Sequence, residues 1–288
     1  MLKAKLIKGM IIVKMLILGA TGFLGSTLLG LATKMPNTFV KGTSRYSNDD
    51  AHIIQVDVID KQSIEKAIKQ IEPDVVVWSL MNGEKEDELT DIGLRNLLEM
   101  IEKETKLIFL STDAIFVDGR GNYTESDQTG SLAPDAPLFT YVTAKSKAEN
   151  IIQHKHLNNV IVRTGPLYGE DFNQKIEQRT QRMIKQIEIG EQPKAYVNVY
   201  KIFVHVEDLA KAILEISSKQ FTGILHIGPM QKESYYSFFK KRLSQLGYEN
   251  SLVQPYLIEE GQMPHLALDT SLNTEKARTL LETGFREV

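Results

Sequence analysis

The chain has 288 residues, 42% hydrophobic and 25% charged, enough to bury a sizeable core in one large domain or two unequal ones. A net charge of −3, with lysines spread along the chain, gives no electrostatic footprint for nucleic acid. The absence of cysteine excludes a disulfide framework, a thiolate nucleophile and thiolate metal ligation, and the six histidines show no HExxH pairing, so no metal site is expected.

The N-terminal stretch "MLKAKLIKGMIIVKMLILGA" has early lysines and an apolar run like a secretory signal. Lys14 interrupts that run, which continues into a glycine motif that cleavage would destroy, so it reads as a buried strand behind a short leader. Met10 and Met15 are alternative starts, and residues before about Ile11 read as a dispensable extension. No apolar run elsewhere approaches the roughly 20 residues of a membrane span; the expectation is a cytoplasmic protein with no membrane partner.

From Ile11 to Gly165 the strand candidates are "IIVKMLILG", "TFVKGTSR", "HIIQVDV", "DVVVWSL", "KLIFLST" and "NVIVRTG", alternating with helical periodicity as βαβ units do. In "KQSIEKAIKQIE", Ile64, Ala67, Ile68 and Ile71 form one stripe and Pro73 marks the stop. A second helix is expected from Asp91 to Lys103, with Leu94, Leu97, Leu98 and Ile101 on one face. After Gly165 the rhythm changes: an amphipathic helix over Asn173–Ile189, then "KAYVNVYKIFVHV", a helix "EDLAKAILEISS", a strand "GILHIG", an aromatic helix "SYYSFFKKRLSQLG" and a final helix near "TEKARTLLE". The predicted fold is α/β, a Rossmann-type doubly wound parallel sheet over 11–165, with a smaller C-terminal substrate-binding lobe over 166–288, some of whose segments return to the sheet.

"LILGATGFLGSTLLGLATKMP" sets Gly19, Gly22 and Gly25 after an apolar strand and at the start of a helix. One glycine permits positive φ in the turn, another lets backbone approach a pyrophosphate, and the third lets helix and strand pack closely. The helix N-terminus offers N–H groups to phosphates. A dinucleotide site is therefore expected. The second strand ends in "TSRY", where an acidic residue would accept from a ribose 2′-hydroxyl; Arg45 cannot accept, but it can pair with a 2′-phosphate, so NADPH is expected over NADH.

In "FLSTDAIFVDG" the strand ends with Ser111, Thr112 and Asp113 at the sheet edge where open α/β folds bind ligands. Further on, "TYVTAKSKAEN" sets Tyr141 and Lys145 one helical turn apart, exposed on one face, with Ala144, Ala148 and Ile151 on the buried one. A tyrosine holds its proton to a pKa near 10, and a neighbouring ammonium lowers that value toward working pH. Reducing a carbonyl needs a proton at its oxygen; Tyr141 can deliver it, Lys145 can tune it and Thr112 can hydrogen-bond the same oxygen. Trp78 reads as core and His205 as a hydrogen-bonded structural residue, with Glu207 or Asp208 as a helix cap. Arg163 reads as a buried ion-pair partner or a group near the substrate.

The "GATGFLG" opening and the YxxxK pair resemble the short-chain dehydrogenase/reductase superfamily in its extended, nucleotide-sugar branch. "STDAIFVDG", "VIVRTGPLYG", "FVHVEDLAKAI" and "LALDTSLN" resemble the dTDP-4-dehydrorhamnose reductases and their non-catalytic relative, the regulatory β subunit of methionine adenosyltransferase. The resemblance spans Met15 to about Leu281. It implies a catalytic set of Thr112, Tyr141 and Lys145. It places Gly19, Thr21, Gly22, Phe23, Leu24, Gly25, Ser44, Arg45, Asp57, Val58, Ser79, Leu80, Met81, Tyr141, Lys145, Arg163 and Thr164 at the cofactor, and Thr112, Asp113, Ala114 and Pro166 at a nucleotide-sugar substrate. Homodimerisation is implied on the same ground. Ala114 and Pro166 stand where the reductases have a tyrosine and a tryptophan, and "SLMNGEKEDELTDIG" is shortened, with Thr90 for the usual asparagine. The same residues could serve an epimerase or dehydratase, and a regulatory subunit could keep the fold without turnover.

Overall fold

The computed structural model describes residues 6–7, 10–259 and 261–288, so much of the expected leader lies outside the described residues. The main strands are β1 (Val13–Leu18), β2 (Thr38–Ser44), β3 (Ile53–Gln55), β4 (Val75–Trp78), β5 (Lys106–Leu110), β6 (Asn159–Arg163) and β7 (Gly223–His226). They form one sheet in the order β7-β6-β5-β4-β1-β2-β3, every pairing parallel. The main helices are α1 (Phe23–Ala32), α2 (Lys61–Ile71), α3 (Arg95–Met100), α4 (Phe139–Lys155), α5 (Gln178–Glu188), α6 (Val206–Ser218) and α7 (Tyr235–Gln245), and the expected final helix is the short Glu275–Leu280.

Strand periodicity accounts for the layers. Met15 and Ile17, Val75 and Val77, Ile108 and Leu110, and Val160 and Val162 point to one face, where they pack with Leu28 of α1 and Leu209 and Ile213 of α6. Leu16 and Leu18, Val76 and Trp78, Leu107 and Phe109, and Ile161 point to the other, against Ile64 and Ile68 of α2 and Leu97 of α3. Both faces are covered, which is why these strands read as continuous apolar runs. Each fully buried Val, Ile or Leu stabilises the fold by about 1.5–3 kcal/mol. The strand order reverses between β1 and β4, and that switch point opens a crevice at their carboxyl ends.

Local chemistry sets the helix limits. Asp60 caps α2 by accepting from Gln62 N at 3.0 Å, and Glu72 closes it in the left-handed region at φ 49° before Pro73. The helix expected over Asp91–Lys103 is shorter at its end and irregular at its start. A helical turn Glu86–Glu88 leads into a π-helical turn Leu89–Leu94 before α3. The helix expected from Asn173 begins only at Gln178, because Asp171 Oδ1 accepts from Asn173 N at 2.8 Å and Lys175 N at 2.9 Å, closing a turn that competes with the helix.

The smaller lobe has its own core of Tyr168, Met183, Phe203, Phe238, Phe239, Leu243 and Val253, with Phe203 and Phe238 stacked at 3.9 Å. "KAYVNVYKIFVHV" is broken into short strands, Lys194–Tyr196 beside Gln254–Tyr256, Tyr200–Lys201 beside Glu233–Ser234, and Val204–His205 beside Leu167–Tyr168. The chain then returns to the sheet as α6 and β7, the latter beside β6. Arg286 near the C-terminus fastens to Asp208 and Glu207 in the first turn of α6.

Candidate active site

At the crevice, Gly19 has φ +87°, which disfavours any side chain there. A Cβ on Gly25 would lie 2.0 Å from Gly19 O, so only glycine lets α1 sit this close to the turn. Thr43 of β2 holds the turn in place, its Oγ1 accepting from Gly19 N at 3.2 Å and its carbonyl from Ala20 N at 3.0 Å. Gly22 starts α1 with no side-chain cap, leaving the first N–H groups of the helix for an anion. Thr21 and Gly22 are exposed, Phe23 is half-buried, and Leu24 and Gly25 are buried, so Leu24 can offer only its backbone. An uncapped helix start, a positive-φ glycine and a backbone cradle that Cβ atoms would fill fit the pyrophosphate of a dinucleotide.

Arg45 lies beyond the end of β2 with Cζ 5.0 Å from the Tyr46 ring and Nη2 donating to Tyr46 Oη at 2.8 Å. It makes no ion pair among the described residues. The Ser44 hydroxyl accepts from Tyr46 N at 3.2 Å, and so holds this corner. Asp57 spends Oδ1 on Ile59 N at 3.0 Å, and Val58 is buried. Ser79 donates to Leu18 O at 2.7 Å; Leu80 is half-buried and Met81 exposed.

Thr112, Tyr141 and Lys145 come together where β5 meets the start of α4. The Thr112 side chain lies close enough to the Tyr141 hydroxyl to favour its ionised form, and Lys145 Nζ lies 5.8 Å from the Tyr141 ring centre. The expected exposure of the pair is corrected by the packing: Tyr141 is only partly exposed and Lys145 is 2% exposed. The buried stripe of α4 runs through Lys145, Ala148, Glu149 and Ile152, with Ile151 half-exposed. Lys145 is buried because it has partners: it donates to Leu110 O at 3.1 Å and pairs with Glu86 at 2.8 Å. Burial raises the ionisation of Tyr141 well above the ordinary phenol value, the neighbouring Thr112 hydroxyl opposes the rise, and Glu86 and Asp113 add to it.

Other expected site residues have internal partners. Asp113 is buried and paired with Lys201 at 2.9 Å, and it also accepts from Thr270. Arg163 is buried in an ion pair with Glu149 at 2.7 Å, with Nη1 3.5 Å from His226 Nε2, so its guanidinium serves the interior. Thr164 Oγ1 donates to Ile227 O at 3.0 Å. Ala114 and Pro166 are half-buried. Trp78 is core, packed near Phe109. His205 is itself the cap of α6, its Nδ1 accepting from Glu207 N at 3.3 Å, which corrects the expectation of Glu207 or Asp208 in that role. Glu149 and Glu86 were not anticipated. Glu149 follows Tyr141 and Lys145 by one further helical turn, a spacing that does mark it in the sequence; Glu86 has no such signal.

Residues 15–228 match the model of the NAD dependent epimerase/dehydratase family. The chain belongs to that family. This epimerase/dehydratase family member is an NAD(P)-dependent oxidoreductase of the extended short-chain dehydrogenase/reductase type, with a nicotinamide cofactor. It is 23% identical over 231 residues to a 3-diazoavenalumate denitrifying reductase from a Streptomyces species, covering 74% of this chain and 75% of the relative. A hypothetical dTDP-4-dehydrorhamnose reductase from Sulfolobus tokodaii superposes with a TM-score of 0.75 at 22% identity, over 96% of this chain and 97% of the other. The dTDP-4-dehydrorhamnose reductase of Bacillus anthracis, solved in complex with NADP, does so at 0.73 and 19% identity, over 96% and 95%. These structural likenesses establish the fold. No helix among the described residues is long and apolar enough to cross a membrane.

Proposed function

We propose that the protein is an NADPH-preferring reductase of a carbonyl on a nucleotide-activated sugar or a similarly polar metabolite. The observation that carries this reading is the meeting of Thr112, Tyr141 and Lys145 at the carboxyl edge of the sheet, where the glycine loop also lies. Bound nicotinamide would supply the hydride. Tyr141 then delivers its phenolic proton to the carbonyl oxygen, Thr112 hydrogen-bonds that oxygen as charge develops on it, and Lys145, 5.8 Å from the tyrosine ring, is the neighbouring cation. Ala114 and Pro166 stand where the reductases have a tyrosine and a tryptophan, which suits a substrate held at these two positions by contacts other than stacking.

The experiment is NADPH consumption across a panel of nucleotide 4-keto sugars and simpler polar ketones. Turnover with at least one member is expected. Failure with every ketone, together with stable capture of a partner protein, would favour a regulatory subunit and sink the reductase reading. Nicotinamide copurifying in its oxidised form, with interconversion of sugars and no net consumption, would favour an epimerase.

Arg45 supports the cofactor preference. The Arg45→Ala variant should raise KM for NADPH about tenfold or more while leaving KM for NADH nearly unchanged, because only the 2′-phosphate loses a charge-assisted hydrogen bond. Equal effects on the two cofactors in steady-state kinetics would remove the argument.

A further inference from the structure

A buried ammonium has three N–H donors, and where each one goes matters. Lys145 gives one to Leu110 O at 3.1 Å, and its ammonium forms an ion pair with Glu86 Oε1 at 2.8 Å. Glu86 is itself sealed in at 1% exposure, and its other oxygen takes Asn82 N at 2.7 Å. The backbone is irregular where it delivers this acid: a 3-10 turn at Gly83–Lys85, the helical turn from Glu86, then the π-helical turn, which Thr90 ties to Ala144 O at 3.3 Å. Irregular helical turns of this kind recur at functional positions.

The pairing changes what Tyr141 experiences. By itself a cation beside a phenol favours the phenolate; a carboxylate on that cation opposes it. The other charges packed around this part of α4 are paired as well, Asp113 with Lys201 at 2.9 Å, Glu149 with Arg163 at 2.7 Å and Asp91 with Lys147 at 2.5 Å. No uncompensated cation among the described residues therefore faces Tyr141.

We propose that Glu86 is a positioning residue that offsets the charge of Lys145 toward Tyr141, so that Tyr141 serves as a proton donor in the reductive direction and a poor base in the oxidative one. The inference rests on Tyr141 being the proton donor of the reaction proposed above. In that reaction the carbonyl carbon gains a C–H bond from the nicotinamide hydride, leaving the ring oxidised, and the C=O π pair moves to oxygen. The Tyr141 O–H bond breaks as its proton joins that oxygen, and water reprotonates the phenolate. Oxidising an alcohol instead requires the phenolate at the outset, and Glu86 disfavours it. An epimerase or dehydratase must begin by oxidation, so a pair that disfavours the phenolate suits a site whose turnover starts with reduction.

The test is the tyrosinate absorbance of the cofactor-free full chain as pH is raised, with the Tyr141→Phe protein subtracted to isolate one ring. Tyr141 in the natural chain should remain a phenol to above pH 10, the value of a free tyrosine being about 10. In the isosteric Glu86→Gln variant its titration should fall by about 1–2 pH units, and the alkaline limb of reductive turnover should fall with it. Glu86→Asp, which keeps the charge, should stay close to the natural protein. An unchanged or raised titration in Glu86→Gln, or an equal fall in Glu86→Asp, would overturn the proposal. Should Glu86→Gln not fold, ionisation of Tyr141 below about pH 9 in the natural chain overturns it alone. The titration needs no turnover, so it is decided separately from the reductase reading.

Discussion

Tyr141→Phe is expected to lower kcat by about 10²–10⁴-fold, the usual worth of a positioned general acid, while dinucleotide affinity is retained. The ring stays in its place against the core and only the hydroxyl is lost, so the transferable proton disappears without a packing defect. Stopped-flow single turnovers and a separate dinucleotide titration would distinguish lost chemistry from lost binding. A variant within about threefold of the natural kcat would show that the proton comes from elsewhere, water being the alternative donor. The pH dependence has a definite sign. Burial raises the ionisation of Tyr141, so the acid form persists through neutral pH and reductive activity declines only at high alkaline pH.

Glu149→Ala should destabilise the protein by about 3–5 kcal/mol, the cost of leaving a buried charge without its partner. Glu149 accepts from Arg163 through both oxygens and also from Ser111, and all three residues are buried. The arginine left behind would have the Phe116 ring, 5.3 Å from its Cζ, and His226 for company, and neither neutralises it. His226 is no substitute, because burial pushes its ionisation down to about 4 and it stands neutral near pH 7. Urea unfolding would read the loss as a lower midpoint at unchanged slope. A change below about 1 kcal/mol would mean that water reaches Arg163 and screens it, as for an exposed pair. Because Ser111 precedes Thr112, kcat should fall as well, by misplacing the residues that follow β5.

Tyr141, Lys145 and Glu149 form one stripe on α4, and the three show what a sequence can and cannot express. Spacing alone places them on one face. It does not say that the face is turned inward, since a helix with Lys and Glu one turn apart reads as a solvated surface. The structure buries Lys145 and Glu149 because Glu86, Leu110 O, Arg163 and Ser111 meet them, and these partners come from elements far away in the chain. The same limit explains His205. Its apolar setting was legible, but its role as the cap of α6 depends on where the backbone turns.

The doubly wound sheet, the glycine turn and the Tyr-Lys pair were determined by the sequence itself. Each is local: continuous apolar runs make strands covered on both sides, the Gly19-to-Gly25 spacing suits one strand-to-helix turn, and one helical turn separates Tyr141 from Lys145. What the tertiary structure alone decided are the long-range electrostatic partners. Asp113 meets Lys201 and Thr270, Arg163 meets Glu149, and a π-helical turn accompanies the delivery of Glu86 to Lys145. No periodicity encodes such pairs, because the cost of burying a charge is met only when separate segments arrive at the same point.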